Sequence, residues 1–158
     1  MPGHTWIDTA LLDHVSGVAA ATPRGRKNFN FHRAETDASH RLLNAIEPGS
    51  YIQPHRHLDP AKDETLVVVS GRLGVVVFDE AGSVVETAVL VAGGERCGIN
   101  LLHGTYHTVL ALEPGTVFFE SKAGPYRPLE IAEQAPGAPV EGAREVQPYL
   151  DALRKLFE

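Results

Sequence analysis

The chain has 158 residues, 43% hydrophobic and 22% charged, which is enough to bury one domain core without disulfides and argues against wholesale disorder. A formal net charge of -6 argues against nucleic acid as a partner, because such proteins present a basic face to phosphates. The single Cys97 forms no intramolecular disulfide, no run of about 18 apolar residues could span a bilayer, and the N-terminus lacks the basic-then-apolar secretory pattern. These features predict a soluble, unexported, cytoplasmic protein with a buried thiol.

Along the chain, Thr5-Trp6-Ile7-Asp8 reads as a capping box with Thr5 as N-cap, and Ile7, Leu11, Val15 and Val18 recur at helical spacing. A helix near residues 6–20 is predicted, broken by Pro23 and Gly25. Arg26-Lys27-Asn28-Phe29-Asn30-Phe31-His32 then alternates polar and apolar side chains as a half-buried strand does. From Arg41 to Lys122 short β-rich runs are separated by turn chemistry at Pro48-Gly49, Ser70-Gly71, 80–83, Gly93-Gly94 and Pro114-Gly115. The clearest strands are 67–69, 75–78, 84–91 and 116–119. Many short strands without intervening helices predict an all-β sandwich or barrel, and the length suits a jelly roll.

Ala135-Pro136-Gly137-Ala138-Pro139 reads as a connector, and Leu150, Leu153 and Phe157 fall on one face of a short C-terminal helix that should dock on the barrel or on a second subunit. The expected division is 1–25 as N-terminal helix and connector, 26–134 as barrel, and 135–158 as linker and C-terminal helix. The apolar faces of the two terminal helices are a physical reason to expect a homodimer.

Within this frame His55-Arg56-His57 carries the most chemistry. Residues two apart on a strand face the same way, so His55 and His57 can grip one ion while Arg56 points away. Imidazole and carboxylate donors with no thiolates select a divalent metal that favours nitrogen and oxygen. By the same alternation Tyr51 and Gln53 share the inward face and are candidate substrate contacts. Asn28, Asn30 and His32 share a face that either lines a pocket or forms the wet outside of the sheet. Glu120 and Lys122 also share a face, and if it is the inner one they should pair, since an unpaired buried charge is costly. Tyr126, after Gly124-Pro125, either folds over the barrel mouth or simply packs. His103 is not counted as a ligand, and surface positions are expected for His4, His14 and His40.

Gly49, five residues, His55-x-His57, six residues, Glu64, six residues, Gly71 resembles the first motif of the cupin superfamily, and Gly104-Thr105-Tyr106-His107 resembles the second. The resemblance implies a small cupin β-barrel whose metal is held by His55, His57, Glu64 and His107. The loop 58–63 is longer than the common pattern, and Leu102 stands where proline is usual. A closer likeness, over roughly residues 24–136, is to the WbuC family of cupin-fold metalloproteins. It is carried by 26–32, 49–57, Lys62-Asp63-Glu64, Glu113-Pro114-Gly115 and the block from Phe119 to Tyr126. Members occur in bacteria, some beside surface-polysaccharide genes, and no reaction is firmly attached to them. Gln134 stands where that family leads one to expect tryptophan.

The resemblance implies one divalent transition metal per chain, with iron, manganese, nickel and zinc all compatible with these ligands. A small-molecule ligand is expected, and charge and hydropathy predict neither nucleic acid nor membrane as partner. With Glu64 ionised and three neutral imidazoles, a divalent ion leaves the site at about +1, suited to an anionic or bidentate oxygen ligand. The leading expectation is a metal-dependent enzyme of isomerase, lyase or dioxygenase type acting on a small polar metabolite, such as a sugar derivative of bacterial surface polysaccharide. In it His32, Glu120 and Tyr126 are the acid/base candidates, with Asn30, Tyr51, Gln53 and Lys122 as substrate contacts. The alternatives are a non-catalytic cupin that binds or senses a carbohydrate or organic acid, and a mainly structural metal.

Overall fold

The alternation that begins at residue 26 becomes a two-sheet sandwich in the computed structural model, which describes residues 3–158. Among the described residues eight strands form: β1 (Arg26–Asn30), β2 (Ser39–Ile46), β3 (Glu64–Ser70), β4 (Arg72–Phe78), β5 (Val84–Val91), β6 (Gly98–Leu101), β7 (Tyr106–Ala111) and β8 (Thr116–Ala123). Five of them make one antiparallel sheet in the order β1-β2-β8-β3-β6, and three make the other in the order β5-β4-β7. The predicted all-β architecture is present.

Ile46, Leu66, Val68, Leu73, Val75, Leu90, Val109 and Phe118 fill the space between the sheets. Each sheet also has an apolar outer face, and each is covered by one helix. Helix α1 (Thr9–Ala20) lays Val15 and Ala19 on Leu43, Ala45 and Val117 of the five-stranded sheet. Its N-cap is Asp8, whose side chain accepts from Leu11 N–H at 3.0 Å, so the helix starts later than the expected capping box at Thr5. Trp6 and Ile7 lie before it and are exposed.

Helix α2 (Val146–Arg154) buries Leu150 and Leu153 against Val76, Phe78, Tyr106 and Leu110 on the outside of the three-stranded sheet. Beyond it Phe157 sits where Gly74 leaves room: a Cβ there would lie 2.8 Å from Phe157 Cζ. Of the two docking modes expected for this helix, the barrel is the one observed. The faces offered above as a reason to dimerise are therefore covered within the chain. Cys97 is exposed rather than buried, because it falls in the loop between β5 and β6. Among the described residues no helix is long and apolar enough to cross a membrane.

The register places the chemistry. Across the five-stranded sheet His40 pairs with Lys122 and Lys122 with Glu64, making one polar row. Two residues along, Asn30, Leu42, Glu120 and Leu66 form the next row on the same face, followed by Asn28, Asn44, Phe118 and Val68. The inner face is thus polar toward one end of the sandwich and apolar toward the other.

Candidate metal centre

The polar rows open into a cavity of about 410 Å³ between the sheets, lined by His55 and His107 on one side and by Glu64, Lys122, Glu120, Asn30 and His32 on the side of the five-stranded sheet. His107 reaches it from β7, paired with Val77. His55 lies outside the two sheets, yet its N–H donates to His107 O at 3.0 Å and its O accepts from His107 N–H at 2.8 Å. That single antiparallel bridge sets the two rings 4.8 Å apart between centroids. Gly104 N–H donates to His57 O at 2.7 Å and ties the two motifs together a second time. Gly104 turns there with φ of +81°, a conformation that favours glycine.

His55, His57 and Glu64 bring one potential ligand atom each within 4.8 Å of one another, which suggests a metal ion. His57 Nε2 lies 3.0 Å from Glu64 Oε1, and His107 Nε2 lies 3.0 Å from Glu64 Oε2. His55 Nδ1 is 2.9 Å from Gln53 O and His107 Nδ1 is 2.9 Å from Thr105 O. Each Nδ1–H is therefore used on a backbone carbonyl, which turns the Nε2 lone pair inward. For His107 that lone pair faces a carboxylate oxygen. Two acceptors facing each other are satisfied by a cation between them, and donors bound to one ion at right angles at about 2.1 Å lie about 3 Å apart. The donor set fits a divalent transition metal.

The electrostatics favour the ligand forms of these groups. Burial, reinforced by neighbouring His107, pushes the His55 imidazole down to about 3, so it is neutral near pH 7. Burial opposes ionisation of Glu64, yet the close imidazoles of His107 and His57 and the charge of Lys122 hold its carboxyl well below the usual range. Burial likewise opposes the charge on Lys122, but Glu120 and Glu64 on either side raise it above the ordinary lysine value.

Arg56 points away from the cavity, as the alternation predicts, stacking 4.2 Å over the Tyr106 ring and bonding Glu80 at 3.0 Å. Glu120 and Lys122 face inward and pair at 2.5 Å, while Glu120 Oε2 accepts from Asn44 Nδ2 at 2.7 Å. Asn28, Asn30 and His32 line the cavity. Tyr126 lines its mouth and is 57% exposed, held by its N–H to Glu35 O at 2.7 Å. Next to it Pro125 O accepts from Lys62 Nζ at 2.7 Å, so the long 58–63 loop is tied to the Tyr126 segment.

Tyr51 and Gln53 correct the sequence reading. Tyr51 packs beneath α2 and donates its hydroxyl to Pro139 O at 2.7 Å, and burial raises it above the usual tyrosine value. Gln53 Nε2 donates to Gln134 Oε1 at 3.1 Å, and neither residue lines the cavity. The stretch before His55 has no strand partner, so strict alternation does not extend back through Pro54. His103 is half-exposed and 3.0 Å from Asp63 Oδ1, away from the ligand cluster.

His40, expected at the surface, is buried and stacks on His32 with centroids 4.1 Å apart and rings 9° from parallel. Arg26 and Asn44 also line the cavity. The available signal was parity: His40, Leu42 and Asn44 share one face of β2, although parity does not say which face is inside.

Comparison with known proteins agrees with this geometry at the level of the fold. KdgF from a Halomonas species matches 78% of this chain and 90% of its own, with 21% identity and a TM-score of 0.51. A conserved protein of unknown function from Streptococcus pyogenes matches 80% of this chain and 93% of its own, with 12% identity and a TM-score of 0.53. A cupin superfamily protein from Desulfitobacterium hafniense covers 69% of this chain and 86% of its own, with 9% identity and a TM-score of 0.52. No curated protein matches the sequence. The fold is an all-β cupin jelly roll. The family model described as Domain of unknown function (DUF6016) matches residues 7–90, just over half of the sequence, and the chain belongs to that family.

Proposed function

We propose that this protein is a metal-dependent cupin that takes a small polar, anionic metabolite into the cavity between its sheets. The observation that carries the reading is the grouping of His55, His57 and Glu64 with ligand atoms within 4.8 Å, and of His107 3.0 Å from Glu64 Oε2, beside a cavity lined by further polar side chains. In this reading these four residues are the ligands of one divalent ion, and the site-bearing barrel is residues 26–134. When bound, the ion supplies Lewis acidity toward a ligand oxygen.

The rest is done by side chains of this chain. Lys122 and Asn30 orient the ligand's oxygens from the inner face of the five-stranded sheet, and Leu42, Leu66 and Phe118 form an apolar floor that limits water. Glu120 Oε2 accepts from Asn44, while Oε1 is ion-paired with Lys122 but has no hydrogen-bond donor, which leaves that oxygen as the one that can accept a proton or a ligand hydroxyl. His32 has Nδ1 within 3.2 Å of the Arg41 backbone, leaving Nε2 as the nitrogen that can hold or release a proton. Tyr126 stands at the mouth. The resemblance to the WbuC family supports a sugar derivative of bacterial surface polysaccharide as the metabolite, and the ligand set beside the acid/base candidates His32, Glu120 and Tyr126 supports an isomerase, lyase or dioxygenase type of reaction.

Elemental analysis of protein purified without added metal is the direct test. About one transition-metal ion per chain, lost in H107A and E64Q, supports the reading, as does turnover of sugar derivatives that requires that metal. A chain that carries no transition metal and takes up none on reconstitution overturns it. Ligand binding that persists with a redox-inert ion, without turnover, favours a binding or sensing cupin.

A further inference from the structure

Lys122 Nζ lies 3.1 Å from Glu64 Oε1, the same oxygen that sits 3.0 Å from His57 Nε2, and 2.5 Å from Glu120 Oε1. An ammonium thus rests on the carboxylate that the metal reading makes a ligand. The register accounts for the contact, since Lys122 is the strand partner of Glu64 and Glu120 is two residues along the same face. Glu64 and Glu120 against Lys122 sum to one negative charge, and a divalent ion takes the set to one positive charge. Without Lys122 the same ion would bring two carboxylates to neutrality. Like charges repel strongly where little water screens them, and the Lys122 side chain is only 23% exposed beside a Glu64 side chain that is 5% exposed.

Resting on the metal assignment above, we infer that Lys122 is a resident cation that weakens and so sets the affinity of the metal site, and that Glu120 moderates it by drawing the ammonium away from Glu64. A merely structural Lys122, holding Glu64 in its ligand orientation, predicts the opposite sign.

The test compares wild type, K122M, E120Q and K122M/E120Q, all stripped by chelation. Cobalt(II) is titrated in competition with a chromophoric chelator, and its visible absorption bands report the coordination. K122M should bind cobalt about tenfold tighter than wild type, E120Q should bind it several-fold more weakly, and the double variant should return toward wild type. Tighter binding by K122M with unchanged band positions shows that the charge and not the ligand set has changed. K122M that binds equally or more weakly while folded, by circular dichroism, overturns the inference and leaves the metal assignment standing. Should K122M fail to fold, E120Q decides alone: weaker binding supports the inference, and unchanged or tighter binding overturns it. Wild type that shows no cobalt bands overturns the metal assignment itself, and the inference with it.

Discussion

His55 and His107 exchange both of their backbone hydrogen bonds, at 3.0 and 2.8 Å, although His55 belongs to neither sheet. The two motif segments, about fifty residues apart in sequence, are held in register by that bridge together with the bond from Gly104 N–H to His57 O. The bridge sets the spacing of the imidazoles before any ion arrives, so the cost of ordering two donors is met by folding.

The side chains of His107 and Glu64 point at each other across the centre, whereas Arg56 is turned to the outside. H107A and E64Q should each lower metal affinity on the order of 100-fold or more. R56A should leave metal content unchanged and lose about 1 kcal/mol of stability with its stacking on Tyr106. Metal analysis beside urea denaturation checks both, and a metal-poor R56A would contradict the assignment of faces.

The His55 imidazole titrates at about 3 in the folded chain against an ordinary value of 6.5, so on acidification the unfolded chain takes up this proton first. Its contribution is fully present above about pH 6.5 and is lost as pH falls toward 3, by up to about 1.4 kcal/mol per pH unit. Urea denaturation of the metal-free protein between pH 7 and pH 5 should show this decline, flattened in H55Q. Parallel pH profiles for the two proteins would contradict it.

Leu150 is 2% exposed and joins α2 to the outer face of the three-stranded sheet. L150A should reduce unfolding free energy by about 3 kcal/mol through lost burial and the cavity left behind. A loss under about 1 kcal/mol in urea denaturation would mean that α2 is not docked as described.

Gly71 ends the first motif with φ of +77°, and a Cβ there would lie 2.5 Å from Thr116 Oγ1 and 2.9 Å from Thr116 Cα. G71A meets both backbone strain and a collision with backbone, and should destabilise the fold by about 2 kcal/mol or more. Thermal denaturation measures it; a neutral substitution would show that the β3–β4 turn can relax.

Much of the site was legible as spacing. Spacing put His55 with His57 and turned Arg56 away, and it set Glu120 with Lys122, and Asn28 with Asn30 and His32, on shared faces, because strand geometry makes residues two apart share a face. That these last two faces line the cavity came from the structure. The same rule failed at Tyr51 and Gln53, where no ladder constrains the backbone and side chains turn to the nearest partners, Pro139 and Gln134. Cys97 was misplaced for a related reason, since a strand-like composition does not guarantee a strand.

The amino-acid sequence by itself determined the all-β pattern, the two terminal helices and the motif histidines, all of which depend on local periodicity and turn chemistry. Only the tertiary structure decided which face of each strand is interior. Both faces of the five-stranded sheet carry apolar residues, Leu42 and Ile46 inside and Leu43 and Ala45 under α1, so hydrophobicity does not distinguish them. Burial of His40 against His32, and the row from His40 through Lys122 to Glu64, follow from pairing between strands far apart in sequence. That pairing is set by how the sheets close on their common core, which no local pattern encodes.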